Sequence, residues 1–282
     1  MQVFYHKAKI EVVISAFKQQ HKTIGFVPTM GALHKGHLTL IEKALAQNNE
    51  VIVSIFVNPT QFNNTKDLEQ YPRTQDEDIK MLSDCSQDII VYVPDASEIY
   101  GKNPTSTSFD FDGLDKQLEG KFRPGHFDGV GTVLKLFFES LRPDRAYFGE
   151  KDFQQLQIIR KLVAQEQLPV TIVECPVYRE QSGLAFSSRN KRLNERYREK
   201  APFIYKTLRQ VKTDFGTKSA VALKQWVISE FKTQDLLKLE YFEIAEETSL
   251  EPVSEIKANA SYRAFIAVFA GDVRLIDTIA LN

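Results

Sequence analysis

Apolar residues along this 282-residue chain fall into short runs, separated by longer segments in which they recur every three or four positions. The run Val51-Ile52-Val53-Ser54-Ile55-Phe56-Val57 does not alternate cleanly between apolar and polar letters. A strand of that kind is covered on both faces, as in a parallel sheet between layers of helices. Similar runs predict strands over 23–27, 88–93, 145–148 and 170–174. Helical spacing between them predicts helices over 37–47, 74–84, 128–140 and 152–167. Repeated strand–helix units predict an α/β fold, a Rossmann-like doubly wound parallel sheet. Such sheets bind ligands beyond the carboxyl ends of their strands.

Past residue 184 the pattern changes. Helices are predicted over 193–213 and 219–232, then strands over 239–245, 262–269 and 273–280. The short link Ala270-Gly271-Asp272 between the last two predicts an antiparallel hairpin. The expectation is a first domain over 1–184 and a smaller C-terminal α+β domain over 185–282.

Composition narrows the function classes. A hydrophobic share of 43% is enough for sizeable cores, and a net charge of −1 gives no general pull toward nucleic acid or an anionic membrane. Cys85 and Cys175 lie far apart, with no CxxC or zinc-ligand spacing, so both are expected to be inert thiols. No run approaches the ~18 apolar residues of a membrane span. The first residues carry Lys7, Lys9 and Glu11 rather than a continuous apolar stretch. A soluble cytoplasmic protein with neither a nucleic-acid nor a membrane partner is expected.

The densest chemistry lies between the first predicted strand and the helix after it. Met30-Gly31-Ala32-Leu33-His34-Lys35-Gly36-His37 reads as a Gly-rich turn with two histidines three apart, on one face of a first helical turn. Free N–H groups and the positive dipole end favour phosphate there, and Gly36 lets a ligand approach the backbone. An ordinary turn with two surface histidines would carry the same letters. Asn58-Pro59-Thr60-Gln61-Phe62 follows the second strand, and Gln61 has both a donor and an acceptor for a hydroxy acid. Gly149-Glu150-Lys151-Asp152 opens another helix, with a cation for phosphate and an acid for a cap or a ribose hydroxyl. Gln155 lies on the same face one turn on. Phe186-Ser187-Ser188-Arg189-Asn190 offers hydroxyls and a guanidinium to phosphate oxygens, or is a Ser-rich linker. Arg123-Pro124-Gly125-His126-Phe127 is a second Gly-containing approach to a helix, or a rigid loop. After Tyr71-Pro72-Arg73-Thr74 come Asp76, Glu77 and Asp78, which are helix-dipole partners or magnesium ligands.

In this order and together, these segments closely resemble the pantoate–β-alanine ligases of the HxGH nucleotidyltransferase superfamily, relatives of the class I aminoacyl-tRNA synthetases. The resemblance spans residues 23–195. It implies ATP-dependent joining of pantoate to β-alanine through pantoyl adenylate, with magnesium, in a cytoplasmic homodimer whose C-terminal domain acts as a lid. It implies an ATP site made by Met30, Gly31, Ala32, Leu33, His34, Lys35, Gly36 and His37, by Gly149, Glu150, Lys151 and Asp152, and by Tyr178, Phe186, Ser187, Ser188 and Arg189. His34, His37, Lys151 and Arg189 would serve catalysis, with His37 as proton donor, and Gln61 and Gln155 would bind pantoate. Tyr178 stands where the family usually has a smaller aliphatic residue, and Phe186 is a milder departure. A nucleotidyltransferase acting on a phosphate acceptor, and a non-enzymatic nucleotide-binding module, are the alternatives.

Overall fold

The apolar runs become strands close to where the sequence places them. A computed structural model describes residues 1–63 and 65–282, apart from the side chains of Lys66 and Asp67. Two compact units result: Met1–Gly149 with Gln155–Cys175, and Glu150–Gln154 with Pro176–Asn282.

The first unit is built on six parallel strands: β1 (Gln2–Phe4), β2 (Ile24–Thr29), β3 (Glu50–Ile55), β4 (Ile89–Tyr92), β5 (Arg145–Gly149) and β6 (Thr171–Cys175). Their order is β1-β4-β3-β2-β5-β6, and every adjacent pair is parallel. Phe26, Ile52 and Val91 are wholly buried, as strands covered on both faces must be. The chain runs outward from β2 through β3 to β4, then returns to β5 on the other side of β2. That reversal is the switch point at which doubly wound sheets hold ligands.

The helices of this unit are α1 (Lys7–Gln19), α2 (Lys35–Gln47), α3 (Thr65–Glu69), α4 (Gln75–Cys85), α5 (Ala96–Tyr100), α6 (Leu118–Phe122), α7 (His126–Leu141) and, from Gln155 on, α8 (Phe153–Gln165). The predicted helix 128–140 begins earlier, at His126, because Gly125 takes φ +78 and turns the chain into α7. Phe137 of α7 packs edge-on against Phe26 of β2 and Phe56, with centroids 5.5 and 6.0 Å apart. Residues 2–19 form β1 and α1, which the apolar pattern did not predict. Three residues are too few to show a period, and α1 buries only Ile10 and Ile14.

In the second unit α9 (Glu195–Lys200), α10 (Phe203–Asp214) and α11 (Ala220–Lys232) accompany an antiparallel sheet of β7 (Leu237–Glu246), β8 (Tyr262–Ala270) and β9 (Val273–Ala280). The single helix expected over 193–213 is two, α9 and α10. Pro202 lies between them and supplies no N–H to continue α9. The predicted hairpin is present: Ala270 pairs with Val273, and Gly271 takes φ +64 in the turn.

Candidate active site

β2 ends at Thr29, whose hydroxyl donates to Ser54 O at 2.7 Å and accepts from Gly31 N at 3.2 Å. The chain then turns through Gly31 at φ +78 and Ala32 at φ +49, into His34, the extended N-cap of α2. The His34 side chain does not cap α2, and the amides of a helix N-terminus attract anions. The rings of His34 and His37 stack, with centroids 4.0 Å apart and planes 25° from parallel. Both are half-buried, and Lys35 between them is exposed. The i,i+3 spacing thus puts two imidazoles side by side at the carboxyl end of the strand where the order reverses.

β3 leads to Asn58 and a single 3₁₀ turn, Pro59–Gln61. Gln61 is buried, and its amide is held at both ends. Asn58 Nδ2 donates to its Oε1 at 3.1 Å, and its Nε2 lies 2.9 Å from Met30 Sδ. Its backbone carbonyl lies 2.8 Å from His126 Nδ1, while His126 Nε2 lies 3.0 Å from an Arg123 guanidinium nitrogen. Tyr100 donates to Asn58 Oδ1 at 2.5 Å, and burial pushes the Tyr100 phenol up, keeping it a donor. Gly129 is required here. A Cβ at that position would sit 2.4 Å from Thr60 O and 2.7 Å from Gln61 N. Gln155, half-buried, is in the first turn of α8, after β5. His34 and His37, Gln61 and Gln155 thus follow β2, β3 and β5, three adjacent strands.

Burial divides the three acids Asp76, Glu77 and Asp78. Asp76 and Glu77 are exposed, whereas Asp78 is buried and accepts from Ala32 N at 2.9 Å and Leu33 N at 2.7 Å. Among the described residues no three His, Cys, Asp or Glu side chains converge as metal ligands.

In the second unit, Glu150–Asp152 forms one 3₁₀ turn. Arg263 of β8 lies 3.5 Å from Glu150 and 2.8 Å from Glu247, with its guanidinium 3.9 Å over the Phe153 ring. These contacts tether the segment carrying Lys151, whose Nζ is 3.8 Å from Asp152. Ser187 caps the 3₁₀ turn Ser188–Arg192 by accepting from Arg189 N at 3.3 Å. Asn190, buried, donates to Ala185 O at 3.0 Å and fixes that turn from behind. Tyr178 and Phe186, the two departures from the family pattern, face each other with ring centroids 5.2 Å apart, and Phe186 N donates to Tyr178 O.

Residues 2–280 match the model of the family described as pantoate-beta-alanine ligase. The chain belongs to that family. It is 54% identical over 282 residues, all of both chains, to the pantothenate synthetase of Christiangramia forsetii, and 50% identical over 282 residues to that of Flavobacterium psychrophilum. Among solved structures it resembles pantothenate synthetase from Thermus thermophilus, at 35% identity and a TM-score of 0.91, covering 100% of this chain and 99% of that one. It also resembles the pantoate-beta-alanine ligase from Francisella tularensis, solved with beta-gamma ATP and beta-alanine, at 37% identity and a TM-score of 0.82, covering 100% and 98%. The doubly wound sheet with a smaller α+β unit is the architecture of these ligases.

The contacts that hold the site residues of this ligase are not written in its sequence: Asn58 and His126 on Gln61, Asp78 on the turn before His34, and Arg263 on Glu150. Asn58 and His126 do lie inside segments that stood out by composition. Arg263 had no signal in a single sequence.

Proposed function

We propose that the protein condenses (R)-pantoate with β-alanine at the expense of ATP, through pantoyl adenylate, giving pantothenate, AMP and pyrophosphate. Family membership supports the reaction. The observation that carries it to these residues is the stacked His34–His37 pair on the first turn of α2, at the switch point. The pantoate carboxylate attacks the α-phosphorus and pyrophosphate leaves. The β-alanine amine then attacks the acyl carbon, loses a proton, and expels AMP.

The first step gathers anions, so donors must lie where charge develops. To the first unit we assign the HxGH turn, with Met30–His37 on ATP and His37 giving a proton toward the phosphates. Gln61 and Gln155 are assigned to pantoate, Gln61 with its amide already oriented by Asn58. To the second unit we assign Gly149–Asp152, with Lys151 on phosphate and Asp152 on ribose, together with Tyr178 and Phe186–Arg189. Residue 149 itself closes β5 of the first unit. Magnesium would enter with ATP and would offset the negative charge gathered in the first step, with Asp76, Glu77 and Asp78 as its candidate protein ligands. The reading extends to a cytoplasmic homodimer. Sedimentation showing only monomer at assay concentration would remove the dimer.

The test is pantoate-dependent exchange of labelled pyrophosphate into ATP, with magnesium and without β-alanine. Exchange only when pantoate is present is expected. No exchange by protein that binds ATP would overturn the reading in favour of another acceptor or a binding role.

A further inference from the structure

Asp78 is the buried acid of the α4 first turn. It is 2% exposed, in contrast to Asp76 and Glu77 beside it. Each carboxylate oxygen takes a different, consecutive backbone amide: Oδ2 from Ala32 at 2.9 Å and Oδ1 from Leu33 at 2.7 Å. Thr74 Oγ1 adds a third hydrogen bond to Oδ2 at 3.2 Å. Charge-assisted bonds of this kind are the stronger class, and consecutive amides around one anion make a nest.

The gripped peptide is a strained one. Ala32 holds φ +49, a region an L-residue enters only when its surroundings impose it. Gly31 precedes it at φ +78, and a Cβ there would lie 3.0 Å from Asp78 Oδ2 and 3.2 Å from Ile55 Cγ2. Glycine is therefore what lets the carboxylate come so close. Leu33 is bonded to His34, whose carbonyl accepts from His37 N at 2.8 Å and Leu38 N at 3.2 Å. Where the peptide at 31–33 is fixed, the first turn of α2 and its two stacked rings are fixed too. Thr29 pins the start of this turn and Asp78 pins its end.

We infer that Asp78 is a positioning residue for adenylation. Its carboxylate accepts from the backbone amides of Ala32 and Leu33, and it sets the left-handed turn that aims His34 and His37. The inference rests on the ligase reading above. The same geometry gives the segment around Tyr71 a purpose: it starts α4 at the place from which Asp78 reaches the turn.

Two half-reactions separate this role from mere support of the fold. Exchange of pyrophosphate into ATP needs the histidine turn. Conversion of presynthesised pantoyl adenylate by β-alanine bypasses the triphosphate. Asp78→Asn is expected to slow exchange about 10- to 100-fold, the scale of a small misplacement of catalytic groups, while aminolysis of added adenylate stays within about twofold of the parent. Adding Ala32→Gly should recover exchange severalfold, because glycine takes positive φ without a brace. Thr74→Val, which removes one hydrogen bond and leaves the carboxylate, should cost a few-fold in exchange alone. It decides the matter if Asp78→Asn does not fold. Parent-like exchange by the folded Asp78→Asn or, failing that, by Thr74→Val overturns the inference. So does equal loss in both half-reactions with no recovery from Ala32→Gly. Absence of exchange in the parent protein would instead sink the ligase reading itself.

Discussion

One preorganised donor aimed at developing charge is worth about 10² to 10³ in rate. His37→Ala and Lys151→Ala are each expected to lower pantoate-dependent exchange by about 10² or more. Near-normal single-turnover adenylation by either variant would remove that residue from the assignment. Gln155→Ala is expected to weaken pantoate binding more than ATP binding in direct titrations, and equal effects on both ligands would contradict its role. The sequence made these residues legible because their signal is local. His34 and His37 share a face by spacing alone, and Gln61 stands out as a versatile amide after a strand. The residues that orient them were not legible, because their partners are remote. Asp78 reaches back 45 and 46 positions and His126 reaches back 65. No periodicity in one chain records which loop a buried acid will meet. Asp76, Glu77 and Asp78 show the same limit: three acids in a row look alike until burial separates them.

At the scale of elements, close approach does the placing. α7 lies against the turn that carries Gln61 only because residue 129 has no side chain. Gly129→Ala would drive a Cβ into the Thr60–Gln61 peptide, and backbone cannot swing away as a side chain can. The expected outcome is a stability loss above the 1–3 kcal/mol, roughly, of ordinary overpacking, with a raised KM for pantoate in whatever folds. Thermal melting and steady-state kinetics read the two effects. In the second unit, Arg179 ties the segment before Phe186 to β9. Its guanidinium bonds both oxygens of buried Asp277 at 2.6 and 2.9 Å, and stacks 3.7 Å over Tyr205. Arg179→Leu strands that carboxylate and should cost about 3–5 kcal/mol. A change within error in denaturant titration would show that the pair is not needed. Most strands and long helices of this scale were readable because each spans a full period of its pattern. β1 is too short for one, and the break at Pro202 depends on a single residue within an otherwise continuous amphipathic stretch.

Over the whole molecule, the two units carry separate cores, and one buried or half-buried carboxyl in each, Asp144 and Asp277, responds to acid with opposite sign. One core holds Val27, Ile41, Val53 and Cys175, all of the first unit. Another holds Leu208, Leu223, Phe242 and Ile266, all of the second. In the first unit burial pushes the Asp144 carboxyl up, but hydrogen bonds from Lys18 Nζ and Ile24 N–H outweigh it and hold the group below its ordinary value. A depressed carboxyl stabilises the fold above its unfolded value of about 3.9 and loses that contribution as pH falls through the folded value. In the second unit burial dominates at Asp277 and raises it, despite Arg179. A raised carboxyl contributes fully below about 3.9 and loses that contribution as pH rises through the folded value, so acid favours this group's folded state. The chain supplies a probe for each unit: its one tryptophan, Trp226, packs on the second core, and both cysteines lie in the first unit. Thermal unfolding at about pH 5 and about pH 3.5, either side of the carboxyl range, can be followed by Trp226 fluorescence and by thiol exposure to 4,4′-dithiodipyridine, which reacts in acid. The thiol midpoint is expected to fall further than the fluorescence midpoint, and Asp144→Asn should shrink that difference. Equal shifts in both probes would mean that the two cores unfold as one, and an earlier loss of the tryptophan signal would reverse the assignment of acid sensitivity.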